Sequence, residues 1–484
     1  MNYLSKSVFE IHQSIADGRV TPLELVKESI KLAKEDSNNA FEYICEKEAL
    51  EQVKNLDESK KNNLLFGIPI VIKDNFSTKN IPTTGSSNIL NGYVPVFSSE
   101  VVSRLEDEGA IIIGKTTLDE LGMGGTGTSG HKGTTYNPWD KSHTHQIGGS
   151  SCGSAAVISA GIVPLAIGSD TGDSVRKPAS YAGIVGFKPT YGRISRYGLF
   201  PFATSLDHVA YFTRNVKDCA LTLNVLAGRD NKDFSSSFEK VDDYLKGLDK
   251  PIFGIKIAVI KEIIEVMPNK YILETFNKSI TALKEQGVDV EVVSIDIRLL
   301  KAIYPTYIII SSAESTSNNA GLDGIKYGDR KSGQTYEEVV MNSRSAGFSE
   351  FTKRRFVIGS FSLLKENRDE LFIRAQKCRR LIVDAFNQIL EKYDAIYCPA
   401  APTVAPLLKN NTITHSADLL VSDNYLAFAN MGGFPSITLP LGFDGGLPFG
   451  VNITSKSFTE SKLLNIANKI EEITGLKDLV AGDK

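Results

Sequence analysis

Residues 147–193, IGGSSCGSAAVISAGIVPLAIGSDTGDSVRKPASYAGIVGFKPTYGR, constrain this chain more than any other stretch. They set two serine-bearing glycine turns, Gly148-Gly149-Ser150-Ser151 and Asp170-Thr171-Gly172-Asp173-Ser174, at the ends of a short apolar unit. Residues 154–163 are small and apolar enough for a buried helix, and residues 164–167 predict a short strand running into the second turn. A helix followed by a strand carries the chain out and back, so the two turns are expected to meet. Glycine lets backbone N–H groups approach a ligand closely and serine adds a hydroxyl. The pair suits either an anion cradle or a nucleophile beside its oxyanion hole.

The apolar filling between the turns argues against a Gly/Ser linker. A phosphate cradle would want Gly-x-x-x-x-Gly-Lys-Ser/Thr opening a helix; the string is absent here, and Asp170 and Asp173 would repel phosphate. A nucleophile elbow fits best, and it needs a base. Of the six histidines, His143 and His145 precede the first turn in a polar loop that reads as solvated. No Cys-x-x-Cys or His-Glu-x-x-His nearby would complete a metal site, and none is expected. Lys73 closes the run Ile68-Pro-Ile-Val-Ile-Lys73, which predicts a buried strand with the lysine at its end. There it is either half of a structural ion pair, with Asp74, or a neutral base. The second role requires lowering its pKa from about 10.4 to near 7, about 4 to 5 kcal/mol of differential stabilisation, which a desolvated site can supply.

The Lys73-Asp74-Asn75 turn, the Gly-Gly-Ser-Ser turn and the Ser-Asp-Thr-Gly-x-Ser turn, followed by Arg176-x-Pro178-Ala179 and Gly186-x-Lys188-Pro189-Thr190, resemble the amidase signature family. The resemblance implies a Ser-cisSer-Lys triad that hydrolyses amides through an acyl-enzyme. By motif position Ser174 is then the acyl nucleophile, Ser150 the bridging cis-serine and Lys73 the general base. The backbone N–H groups of Thr171, Gly172, Asp173 and Ser174 are placed to hold the oxyanion. Two positions depart from the pattern. Asp173 stands where the family has glycine, setting a carboxylate beside developing negative charge, and Cys152 replaces a glycine two residues after Ser150. Cys152 reads as packing.

Further motifs, Ala313-Glu314-Ser315, Asp323-Gly324-x-x-Tyr327-Gly328 and Lys353-Arg354-Arg355-x-x-x-Gly359, are similar to those of the A subunits of glutamine-dependent aminoacyl-tRNA amidotransferases. This resemblance spans essentially the whole chain. It implies a glutaminase whose ammonia passes to partner B and C subunits that amidate Glu-tRNA(Gln) or Asp-tRNA(Asn). The nucleotide-binding step, with ATP and magnesium, is expected in one of the partners, with no cofactor in this chain. Matching positions suggest Arg355 for the glutamine carboxylate, with Asp423 and Tyr307 nearby; a guanidinium fork suits a carboxylate. Arg354 is the competing choice. A free-standing amidase and a catalytically weakened scaffold subunit remain as alternatives, the second resting on Asp173 alone.

The composition is that of an ordinary soluble globular chain. The chain has 484 residues, 42% hydrophobic and 23% charged, with a formal net charge of −3. No polybasic surface is indicated, so a nucleic acid would be met locally or through another subunit. Five scattered cysteines suggest reduced thiols and a cytoplasmic protein, and no run of 18 apolar residues suggests a membrane span.

The pattern predicts an α/β amidase-signature fold in one domain over residues 1–484, with a central mixed sheet covered by helices on both faces. Residues 1–60 read as a helical arm, with a capping box at Thr21-Pro22-Leu23-Glu24 lying on the domain body. Strands and helices then alternate: a helix capped by Ser99, a strand at 110–113, a glycine-rich active-site loop at 122–133, a helix at 216–226, and strand-helix-strand at 255–295. Residues 299–364 read as a polar, less regular, substrate-facing insertion. A long helix at 369–393 and strands near 395, 437 and 449 follow, with a last helix from Thr459.

Overall fold

A computed structural model describes residues 3–409 and 417–482, with the backbone alone for 417–420. Its centre is one sheet of eleven strands, numbered along the chain: β1 Phe41–Ile44, β2 Pro69–Lys73, β3 Ile111–Thr116, β4 Leu165–Asp170, β5 Val185–Lys188, β6 His208–Thr213, β7 Lys256–Ile260, β8 Asp289–Val293, β9 Ala395–Pro399, β10 Ser436–Asp444 and β11 Leu447–Ser455. Their order is β1-β3-β2-β4-β6-β5-β10-β11-β9-β7-β8. The pairs β2/β3, β2/β4, β7/β8 and β7/β9 are parallel, the others antiparallel, so the sheet is mixed.

Side chains alternate across each strand, and apolar clusters cover both faces. Ile70 and Ile72 of β2, with Leu165 and Ile167 of β4, face one cluster that includes the helices Val216–Leu226 and Glu460–Thr474. Val71 and Ala166 face the other way, against the helix Cys152–Ser159 and the helix Pro22–Lys34. Lys73 has the parity of Val71. The strand's own period therefore turns its side chain toward the face where the Gly-Gly-Ser-Ser turn enters the helix.

The predicted elements from Ser99 to the C-terminal helix are present, and the helix Val216–Leu226 spans the predicted residues. The N-terminal arm is not wholly helical. Phe41–Ile44 adds as an antiparallel edge strand beside β3, its four side chains all half-buried. The arm is tied down by Arg214, which donates to the carbonyls of Leu4 at 2.6 Å and Lys6 at 2.9 Å. Residues 299–364 are more regular than their polar composition suggests. Most lie in three helices, Ile297–Asn318, Tyr336–Gly347 and Glu350–Leu363; the first and third pack on each other, and the second packs on the turn Asn88–Leu90.

Candidate active site

Lys73 ends β2 with its side chain fully buried. Its Nζ donates to Ser150 Oγ at 2.8 Å, Ser151 Oγ at 2.9 Å and Ser169 Oγ at 2.9 Å. The alternative ion pair with Asp74 does not form. Asp74 lies 3.1 Å from Lys115, and its other oxygen accepts from Thr84. Burial among hydroxyls pulls the Lys73 pKa down to about 8, because the charged form loses its hydration without gaining an adjacent carboxylate.

The Gly149–Ser150 peptide is cis. Asp119 explains why glycine precedes it: a Cβ on Gly149 would stand 2.0 Å from Asp119 Oδ2. That carboxylate accepts from the N–H groups of Thr126, Gly127, Thr128 and Ser129, which folds the glycine-rich loop around the serine turn. Gly122 at the start of this loop lies beside Ser150; a Cβ there would be 3.9 Å from Ser150 Oγ.

The two serine turns meet as expected, Ser151 N donating to the Ser174 carbonyl at 3.2 Å. Ser174 is buried at the end of the second turn. Arg176 shapes that turn from behind. It donates to Asp170 at 2.9 Å, to the Gly172 carbonyl at 2.6 Å and to Asn430 at 2.6 Å, and its guanidinium holds the Asp170 carboxyl well below the usual range despite burial. Thr171 is anchored through its hydroxyl to Asp207 at 2.7 Å. Among the described residues no acceptor takes the N–H of Gly172, Asp173 or Ser174. These donors can receive an oxyanion, since a buried N–H is costly to leave unpaired.

Asp173 does not lie alone beside that position. Its carboxylate pairs with Lys177 at 2.8 Å, and Lys177 also reaches Asp423 at 3.1 Å. Tyr307 packs over the same turn: a Cβ on Gly172 would be 3.0 Å from its ring. Arg355 stands beyond it, its guanidinium 5.9 Å from the centre of the Tyr307 ring and donating to Ser311 at 3.3 Å. Arg354 is exposed, whereas Arg355 is half-buried.

Other candidates have structural places. His145 bonds to Asp140, and His143 stacks on Tyr136 with ring centres 4.4 Å apart. Among the described residues no cluster of His, Cys, Asp and Glu could hold a metal. Burial pushes the Cys152 thiol up to about 12, which suits packing and not nucleophilic attack. Sequence reasoning missed Ser151, Ser169, Asp119 and Lys177. For Lys177 a signal existed, since it lies four residues after Asp173, the spacing of neighbours along a helix.

The geometry is thus a buried lysine touching a cis-serine, beside a second serine in a turn of free N–H groups. A model of the family described as Amidase matches residues 24–464. The chain belongs to the amidase family. Within the family it is similar to the A subunit of glutamyl-tRNA(Gln) amidotransferase of Pediococcus pentosaceus, 40% identical over 481 residues and covering 98% of both chains. The crystal structure of the A subunit of glutamyl-tRNA(Gln) amidotransferase from Thermotoga maritima aligns with a TM-score of 0.72 at 35% identity, over 92% of this chain and 94% of that one. A second solved amidase aligns with a TM-score of 0.81 at 25% identity, over 97% of this chain and all of that one. The amidase-family fold accounts for the mixed sheet and for its helical layers.

Proposed function

We propose that this amidase-family enzyme is the glutaminase subunit of a tRNA-dependent amidotransferase. The observation that carries the reading is the Lys73–Ser150 contact of 2.8 Å in a fully buried setting, joined to full-length similarity with the A subunits of such enzymes. Ser174 Oγ attacks the side-chain amide carbon of glutamine. Its proton passes through Ser150 to neutral Lys73, while the N–H groups of Thr171, Gly172, Asp173 and Ser174 stabilise the oxyanion. Return of the proton to the departing nitrogen releases ammonia and leaves a glutamyl ester on Ser174. Water then attacks the ester, Lys73 again takes the proton and returns it through Ser150 to Ser174 Oγ as the acyl C–O bond breaks, and glutamate leaves.

Arg355 supplies a planar donor fork for the α-carboxylate of glutamine, and Asp423 a carboxylate for its α-ammonium, with Tyr307 beside Arg355 and against the oxyanion turn. The ammonia is used by partner B and C subunits that amidate Glu-tRNA(Gln), or Asp-tRNA(Asn), with ATP and magnesium held outside this chain. Five unpaired cysteines favour a reducing compartment, the cytoplasm.

Ammonia release from glutamine, measured on the chain alone and then with partner subunits, ATP, magnesium and Glu-tRNA(Gln), tests the reading. Stimulation by the full mixture is expected. Activity on simple amides with no response to partners would replace it with a free-standing amidase, and silence in every mixture with a scaffold role.

A further inference from the structure

The reaction just described gives no part to Lys177, which joins Asp173 to Asp423 beside the nucleophile. Lys177 Nζ lies 2.8 Å from Asp173 Oδ2, 3.1 Å from Asp423 Oδ1 and 2.6 Å from the Asp423 carbonyl, so its three hydrogens meet three acceptors. The Lys177 side chain is 9% exposed, that of Asp173 20% and that of Asp423 40%. Each carboxylate spends one oxygen on the lysine, and two carboxylates with one ammonium carry a formal charge of −1. Asp173 belongs to the turn that receives the oxyanion and immediately precedes Ser174. Left unpaired, its charge would oppose both the oxyanion and the deprotonation of Ser174 Oγ. Paired, it is directed along the first turn of the helix Arg176–Ala182, toward Asp423.

We propose that Lys177 is a positioning residue for the reaction: it neutralises Asp173 within the oxyanion turn and shares Asp423 with the ammonium group of an amino-acid amide substrate. Asp173 and Lys177 then form one compensated pair, and neither is neutral to lose alone. Loss of Lys177 leaves the Asp173 carboxylate uncompensated next to Ser174 and lowers kcat, while Asp423, released from the lysine, binds a substrate ammonium at least as well. Loss of Asp173 leaves the full lysine charge on Asp423, which competes with the substrate ammonium and raises KM. Loss of both removes one charge of each sign and restores the site. The substrate half of this inference rests on the glutamine reading; the oxyanion half does not.

The test uses the full-length chain, with partner subunits where glutamine turnover requires them, as wild type, Lys177→Gln, Asp173→Gly and the double variant. Two readouts are taken: glutaminase kcat and KM, and the rate at which a fluorophosphonate probe labels Ser174, which depends on the oxyanion turn but not on glutamine. Lys177→Gln is expected to label and turn over roughly tenfold more slowly with KM unchanged or lower. Asp173→Gly is expected to raise KM roughly tenfold with little change in kcat, and the double variant to return within about threefold of wild type in all three quantities. Thermal melts of the four proteins, expected to show folded single variants at the assay temperature, separate a mis-set turn from misfolding. Wild-type rates in Lys177→Gln, or a double variant as impaired as the two single changes multiplied, would overturn the proposal. If the wild type labels but releases no ammonia from glutamine, the proposed function falls and the labelling pattern still decides the role of Lys177.

Discussion

Asp74 takes its ion pair from Lys115, whose Nζ stands 3.1 Å from Asp74 Oδ1, and not from Lys73 beside it in the chain. Lys73 ends β2 and Lys115 is the next-to-last residue of the parallel neighbour β3, and Lys115 donates to the Phe76 carbonyl and Thr83 as well as pairing with Asp74. The carboxylate is consumed before it can reach Lys73. What remains for Lys73 is three serine hydroxyls, which accept a hydrogen bond but do not hold a proton on nitrogen as a carboxylate would.

A pH dependence follows. With the Lys73 pKa near 8, activity should rise with pH through that value as the neutral amine becomes populated. Stability should move the same way. Between the folded value and the ordinary lysine value the unfolded chain binds more protons than the folded one, so burying Lys73 costs most below pH 8 and the cost falls as pH rises. Wild type should therefore gain on the order of 2 kcal/mol relative to Lys73→Met between pH 7.5 and 9.5 in denaturant titrations. A constant difference across that range would show that Lys73 is not depressed.

Arg355→Ala should raise KM for glutamine roughly a hundredfold, as loss of a charge-assisted bidentate contact does, with a smaller change in kcat. Arg354→Ala should leave both near wild type, since Arg354 faces solvent. Steady-state kinetics on the two variants separates them, and the reverse pattern would exchange their roles.

Much of this site was legible in the chain because its parts lie at element ends. An apolar run closing on Lys73, and a small-residue helix and strand between two glycine turns, were enough to predict that the turns meet. Other features carry no local signal. Phe41–Ile44 is half-buried on all four residues, so it lacks the alternation of a one-sided strand and exists because β3 offers it an edge. The helix Ile297–Asn318 contains Pro305, which reads as a break, and Glu350–Leu363 exposes Val357 and Phe361, which blurs its apolar face. Both helices are stabilised by packing on each other, a tertiary effect. The pairing of Asp173 with Lys177 needed the helix start to be known before the four-residue spacing acquired meaning.

Asp119 should be among the costlier residues to remove outside the proposed triad. Its carboxylate accepts four backbone N–H groups and the Ser129 hydroxyl, all from the loop that covers Ser150. Asp119→Ala should destabilise the chain by about 3 kcal/mol and expose residues 122–133 to hydrogen exchange. Unchanged protection of that loop would mean that other contacts hold it.

Arg176 is the other structural lever. Arg176→Met leaves Asp170 charged and buried and frees the Gly172 carbonyl, at a cost of about 3 to 5 kcal/mol typical of a broken buried pair. In any fraction that folds, kcat should fall more than KM rises, because the disturbed turn is the one proposed to meet the oxyanion. A thermal melt with kinetics on the same sample checks both halves.

The central claim is that Ser174 carries the acyl group, and acid-quenched mass spectrometry of the enzyme during glutamine turnover tests it most directly. The account predicts a glutamyl adduct on the peptide bearing Ser174, absent from Ser174→Ala and from Lys73→Met. An adduct on Cys152 or on any other residue, or continued ammonia release by Ser174→Ala, would contradict it.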